Sequence, residues 1–180
     1  MEMAIFMMFF LFFMFIVFIV IIGLYLLNSF GLMGILKTNG EKTPALAFVP
    51  YYNTYLLGKV GSDNKDSLSK LGIALLVMQI AVSFASSFMG FMISMVENSR
   101  YINEEAIILP VLFFMLVTLG YMVLYYVAYS RIFVKYSKNG VLLTVFNILF
   151  GGGILGPIFL FAIRNNKLVV TENVDVIQQI

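Results

Sequence analysis

Four long stretches of the chain carry almost no polar residues, and the connections between them hold nearly all of the charge. These stretches, 3–27, 71–96, 106–134 and 141–163, are each at least 23 residues long. A helix rises about 1.5 Å per residue, so about 20 apolar residues cross the hydrocarbon core of a bilayer. The pattern predicts an all-α integral membrane protein with four transmembrane helices. They form a single membrane domain, 1–167, followed by a C-terminal tail, 168–180.

The first stretch is uncharged, and its run from Phe6 to Phe15 has no small or polar face, which suits lipid contact better than helix packing. Met1-Glu2-Met3 lacks the positive region of a secretory signal and no Ala-x-Ala site follows, so a retained anchor is expected, ending near Gly23, Tyr25 and Asn28. In the second stretch Gly72, Gln79, Ser83, Ser86, Gly90 and Ser94 recur at helical spacing, opposite Leu75, Val77 and Phe84. Such a stripe either lets helices approach closely or lines a polar path.

In the third stretch Thr118, Tyr121, Tyr125 and Tyr129 share a face. Buried tyrosine hydroxyls need partners, so this face is expected to meet the serine stripe or the segment 44–59. The fourth stretch contains Asn147 and is interrupted at Gly151-Gly152-Gly153 and at Gly156-Pro157. It reads as one kinked span or a re-entrant hairpin. Its 23 residues suffice to cross, and a full span is the expectation.

The connection between the first two spans is the longest, and its segment from Pro44 to Lys59 is too apolar for a free loop and too short for a span. Pro44 suits the first turn of a helix, whereas Pro50 breaks or bends one. Tyr51, Tyr52 and Tyr55 fit the headgroup level. The segment therefore reads as interfacial or re-entrant, the latter being tolerated only where protein or a water-filled cavity satisfies its backbone. Pro50, Tyr51, Tyr52, Asn53, Tyr55, Gly58 and Lys59 form a candidate interaction surface. Gln79, Ser83, Ser86, Tyr121, Tyr125 and Asn147 form a candidate intramembrane polar face. Before the segment, Asn39-Gly40 marks a polar turn.

With four spans, the connections after the first and third helices hold eight of the eleven basic residues. The positive-inside rule then places these connections in the cytoplasm and the N-terminus outside. Arg164 and Lys167 fit this poorly, and would return to the cytoplasm if the last segment were re-entrant.

Composition agrees: 62% hydrophobic and 11% charged residues do not describe a soluble domain. A net charge of +2 without a basic run argues against nucleic acid. The chain has no cysteine and no histidine, which removes disulfides, thiolate chemistry and the commonest general base. Ser62, Ser67 and Ser69 lie near Lys65 and Lys70, but in a polar loop where both residue types are ordinary. An enzyme is not expected, nor is a cofactor or a metal. The tail 168–180 is mildly acidic and alternates between apolar and polar residues, as a segment does that frays or adds a strand to a partner.

The remaining expectation is an accessory, assembly or immunity-type subunit that docks a partner through its cytoplasmic interfacial segment. The partners foreseen are the lipid bilayer and another membrane or cytoplasmic protein. The alternative is a small-solute or ion transporter or channel, using the polar stripe and the broken fourth helix. Against it, no charged residue lies in the middle of any span.

Val49-Pro50-Tyr51-Tyr52-Asn53-Thr54-Tyr55, with Gly58, resembles a motif that follows the first helix in a family of small bacterial polytopic membrane proteins of unknown function. The runs Phe133 to Gly140 and Gly156 to Ala162 are similar to the closing segment of that family. This chain lacks the family's tryptophans and has an aromatic residue at the second position after the proline. The resemblance implies a bacterial cytoplasmic membrane protein and brings no activity.

Overall fold

The computed structural model of the chain describes residues 2–62, 69–98 and 108–169. The connection around Arg100, the loop holding Lys65 and Ser67, and the tail beyond Val169 lie outside the described residues. The described residues are helical, with no strand: α1 (Glu2–Thr38), a 3₁₀ turn (Pro44–Phe48), α2 (Tyr52–Gly61), α3 (Lys70–Asn98), α4 (Ile108–Tyr136), α5 (Gly140–Leu149) and α6 (Gly152–Ala162). Among them α1, α3 and α4 are long and apolar enough to cross a membrane.

α1 runs for 37 residues, about 55 Å, well past the expected end at Leu27. Asn39-Gly40 stops it. Gly40 takes a left-handed backbone (φ 73°), while the Glu41 and Gly40 amides donate to the Leu36 and Lys37 carbonyls. This closing pattern needs a residue without a Cβ penalty. The two halves of α1 have different surroundings. From Met3 to Ile22 the described side chains face outward, whereas Asn28, Ser29, Leu32, Ile35 and Leu36 are buried.

The core gathers at that end of the molecule, where Leu57, Leu75, Ile132, Phe133 and Leu160 are fully enclosed. α1 packs on α6, the 3₁₀ turn and α2, and α3 packs along α4. Leu75, read as lying opposite the small-residue stripe, is buried in this core, while Ser86, Gly90 and Ser94 of the stripe are exposed. At the α3–α4 seam, Met78 reaches Gly120.

The stretch 141–163, expected as one full span, is not a single long helix. It forms two short helices, of 10 and 11 residues, that turn back at Gly151 (φ 84°). Neither has the length of a span. Their neighbours on α4 trace the path: Thr144 donates to Ser130 (3.4 Å), the Gly152 amide to the Tyr126 hydroxyl (3.0 Å), and the Asn166 amide to the Tyr136 carbonyl (2.8 Å). The chain thus runs inward along α4 by about three turns and returns to the end where it started.

The segment after α1 is a second hairpin of this kind. Its inward arm passes Tyr25 of α1, which donates to the Phe48 carbonyl (2.7 Å). Its tip sets Tyr51 beside Ser83 of α3 (3.2 Å). Its return arm, α2, ends where Lys135 of α4 donates to the Ser62 carbonyl (2.5 Å). The tip lies about 20 Å inward from the helix ends at Thr38 and Lys70. Gly58 and Gly72 allow α2 to cross α3 at backbone contact: a Cβ on Gly58 would lie 2.5 Å from the Gly72 Cα.

Candidate functional site

Where the first hairpin meets α1 and α4, the structure buries a chain of polar side chains. Asn53 is 6% exposed and Asn28 7%. The Asn28 amide donates to Asn53 Oδ1 (2.7 Å), and the Asn53 amide donates to Ser29 Oγ (3.1 Å) and the Ala47 carbonyl (2.5 Å). Tyr129 then donates to Asn28 Oδ1 (2.6 Å), and Tyr125 lies 3.1 Å from the Tyr129 hydroxyl. Without water to compete, each buried polar group must find a partner inside the protein. Asn53 suits its position because one short side chain both accepts and donates, and so ties both arms of the hairpin to α1.

Just beyond Asn53, the tip holds the least relaxed backbone in the described residues. Tyr51 has φ 64° and ψ −45°, the one positive φ outside glycine among them. The Tyr52 amide donates to the Pro50 carbonyl across it (2.7 Å), closing a γ-turn of the rare hand. A side chain in this region costs about 1–3 kcal/mol and persists only where its surroundings enforce it. Here the proline on one side and the buried Asn53 on the other supply the enforcement.

The candidate interaction surface divides accordingly. Asn53 and Gly58 are buried, and Tyr55 is half-buried against Gly72. Pro50, Tyr51 and Tyr52 remain open, beside the exposed Leu46 and Val49. Lys59 lies at the opposite end of α2, paired with Glu41 (2.5 Å). The hydrogen bond that Lys59 donates to Glu41 raises the Lys59 pKa from its ordinary value, outweighing the opposing effect of burial.

The candidate polar face is also only partly assembled. Tyr121 and Tyr125 line the buried network, and Ser83 meets Tyr51, whereas Ser86 points away. Asn147 is 1% exposed on the second hairpin, at the same level as Gly156 and Tyr129. Its Oδ1, like Gln79 Oε1 and Thr118 Oγ1, has no hydrogen-bond partner among the described residues.

Sequence reasoning took Asn28 for the far end of the first span and did not single out Ser29. The signal was present: two adjacent polar residues between apolar turns, with Gly31 and Gly34 following at helical spacing. Ser69 serves the fold. It accepts from the Gly72 amide (3.0 Å) and so caps α3, and it is fully buried.

No protein-family model matches the chain, and no match to it is found among curated proteins or solved structures.

Proposed function

We propose that this is an accessory or assembly subunit of a bacterial cytoplasmic membrane, which docks a membrane-embedded segment of a partner on the tip of its first hairpin. The observation that carries this reading is the strained Tyr51. The fold keeps an unfavourable backbone in order to present Pro50, Tyr51 and Tyr52 as an open aromatic edge, above a network that fixes it in place. Aromatic anchors on a rigid support are the usual energetic centre of an interface.

In this reading both hairpins are re-entrant. Val141, Leu142, Leu149, Phe150 and Ile154 of the second one are exposed and need lipid around them. The basic residues support the orientation. With the second hairpin returning, Arg164 and Lys167 join Lys37, Lys42, Lys135 and Lys138 at one end, which the positive-inside rule assigns to the cytoplasm. The resemblance of Val49 to Tyr55 to a bacterial membrane family favours the same compartment.

A photo-crosslinking phenylalanine analogue at position 51 or 52 in native membranes is expected to yield a discrete protein adduct, absent when it replaces Phe9 or Phe12. Tyr51→Gly should remove the aromatic anchor without harming the fold. It relieves the strained backbone, so stability should hold or rise by about 1 kcal/mol while partner binding falls. Equal adducts at all four positions, or a Tyr51→Gly chain that binds as before, would overturn the proposal. The second reading is a solute path along the partnerless polar atoms of Gln79, Thr118 and Asn147. Flux through liposomes holding the purified chain alone would favour it.

A further inference from the structure

We infer that the groove between α1 and α6 binds one anionic phospholipid, with its phosphate held between Lys37 and Arg164. The groove is open along one side, has a volume of about 420 Å³, and is lined by Phe30, Met33, Gly34 and Lys37 on one side and by Phe161, Arg164 and Asn165 on the other. The α1 wall is a single helical face, residues i, i+3, i+4 and i+7, and its chemistry is graded along the axis. It begins aromatic at Phe30, passes through Met33 and ends cationic at Lys37, at the basic end of the molecule. A phospholipid has the same gradient, from acyl chain to charged phosphate. Below Phe30 the exposed surface of α1 continues the apolar track.

The cationic end is built. Gly34 lets α6 come close enough that a Cβ at that position would lie 2.7 Å from the Arg164 Cβ. The guanidinium then lies over the Phe161 ring, 3.7 Å from its centre, and donates through Nη1 to the Phe161 carbonyl (2.9 Å). That contact uses one of five N–H donors and leaves a fixed, planar fork for phosphate oxygens. Lys37 adds a mobile point charge across the groove. No carboxylate among the described residues lies within ion-pair distance of either cation. An excess of positive charge beside an apolar wall favours a lipid with net negative charge over a zwitterionic one.

The test uses the full chain in mild detergent, titrated with phosphatidylglycerol or phosphatidylcholine and read by native mass spectrometry. One phosphatidylglycerol should be retained in preference to phosphatidylcholine. Lys37→Gln should weaken that retention roughly fivefold, and Arg164→Gln by a similar factor. Lys42→Gln, at an exposed cation outside the groove, should change it less than twofold. Lys37 is exposed, so its variant keeps the fold and the test stands even if Arg164→Gln proves unstable. Equal retention of the two lipids, or an equal loss with Lys42→Gln, would overturn the site. Displacement of the lipid by millimolar inorganic phosphate would identify a soluble-anion site and overturn the lipid assignment.

Discussion

Replacing Asn53 with alanine tests the polar network most directly. The substitution removes one acceptor and two donated hydrogen bonds, and leaves the Asn28 amide, the Ser29 hydroxyl and the Ala47 carbonyl facing a small apolar cavity. At about 0.6 kcal/mol each, the average for bonds between membrane helices, three bonds give about 2 kcal/mol. At about 1 kcal/mol each, with an added penalty for stranded buried groups, the loss reaches about 4 kcal/mol. The expected destabilisation is therefore about 2–4 kcal/mol, read from reversible unfolding in mixed micelles. Tyr129→Phe should cost about 1 kcal/mol alone. In the double variant the costs should fail to add by at least about 0.5 kcal/mol, because both side chains act on the same Asn28. An Asn53→Ala loss below about 0.5 kcal/mol, or strict additivity with Tyr129→Phe, would refute the network as the fastening of the hairpin.

Other consequences follow from the packing, the topology and the Lys59–Glu41 ion pair. Gly58→Ala should cost about 3 kcal/mol in the same unfolding assay, since its new methyl would strike the Gly72 backbone; Gly90→Ala, with nothing within 4 Å, should be neutral or slightly stabilising. Because the chain has no cysteine, Lys138→Cys and Lys167→Cys can be labelled singly, and a returning second hairpin requires both to react from the same face of the membrane, whereas a crossing segment puts them on opposite faces. Glu41→Gln should cost less than about 1 kcal/mol, because the pair is partly exposed and screened. Lys59 has a raised pKa in the folded protein, so this contribution is complete below pH 10.5 and fades as pH rises through the folded value. An effect of Glu41→Gln that persists unchanged beyond that range would contradict the assignment.

The three long helices were legible in the sequence because membrane spans announce themselves by length and hydropathy, and α3 and α4 begin and end within two residues of the expected limits. The extension of α1 to Thr38 was not, since Asn28 and Ser29 interrupt the apolar run without interrupting the helix. The glycines of the fourth stretch were visible, but periodicity cannot distinguish a kink from a reversal. The reversal rests on tertiary partners, Ser130, Tyr126 and Tyr136, that no local pattern identifies. For the site, the special character of Pro50 to Lys59 was readable, and its inward face was not. Asn53 looks as available for a partner as Tyr52 until the positions of Asn28 and Ala47 are known. In the small-residue stripe of α3, Ser86, Gly90 and Ser94 are exposed, and helical spacing alone does not tell which turns of a face a neighbouring helix covers.

The buried network also carries a timetable. Asn53 draws its own partners, Asn28, Ser29 and Ala47, from residues already synthesised when it leaves the ribosome. Tyr129, which completes Asn28, lies 101 residues downstream of it. At ordinary elongation rates the interval between Asn53 and Tyr129 is on the order of ten seconds. During that time the first hairpin can close on α1 with all but one of these bonds made, and a single asparagine oxygen is left waiting in the membrane. The arrival of α4 then locks a unit that is already folded, before the second hairpin, α5 and α6, has followed it into place.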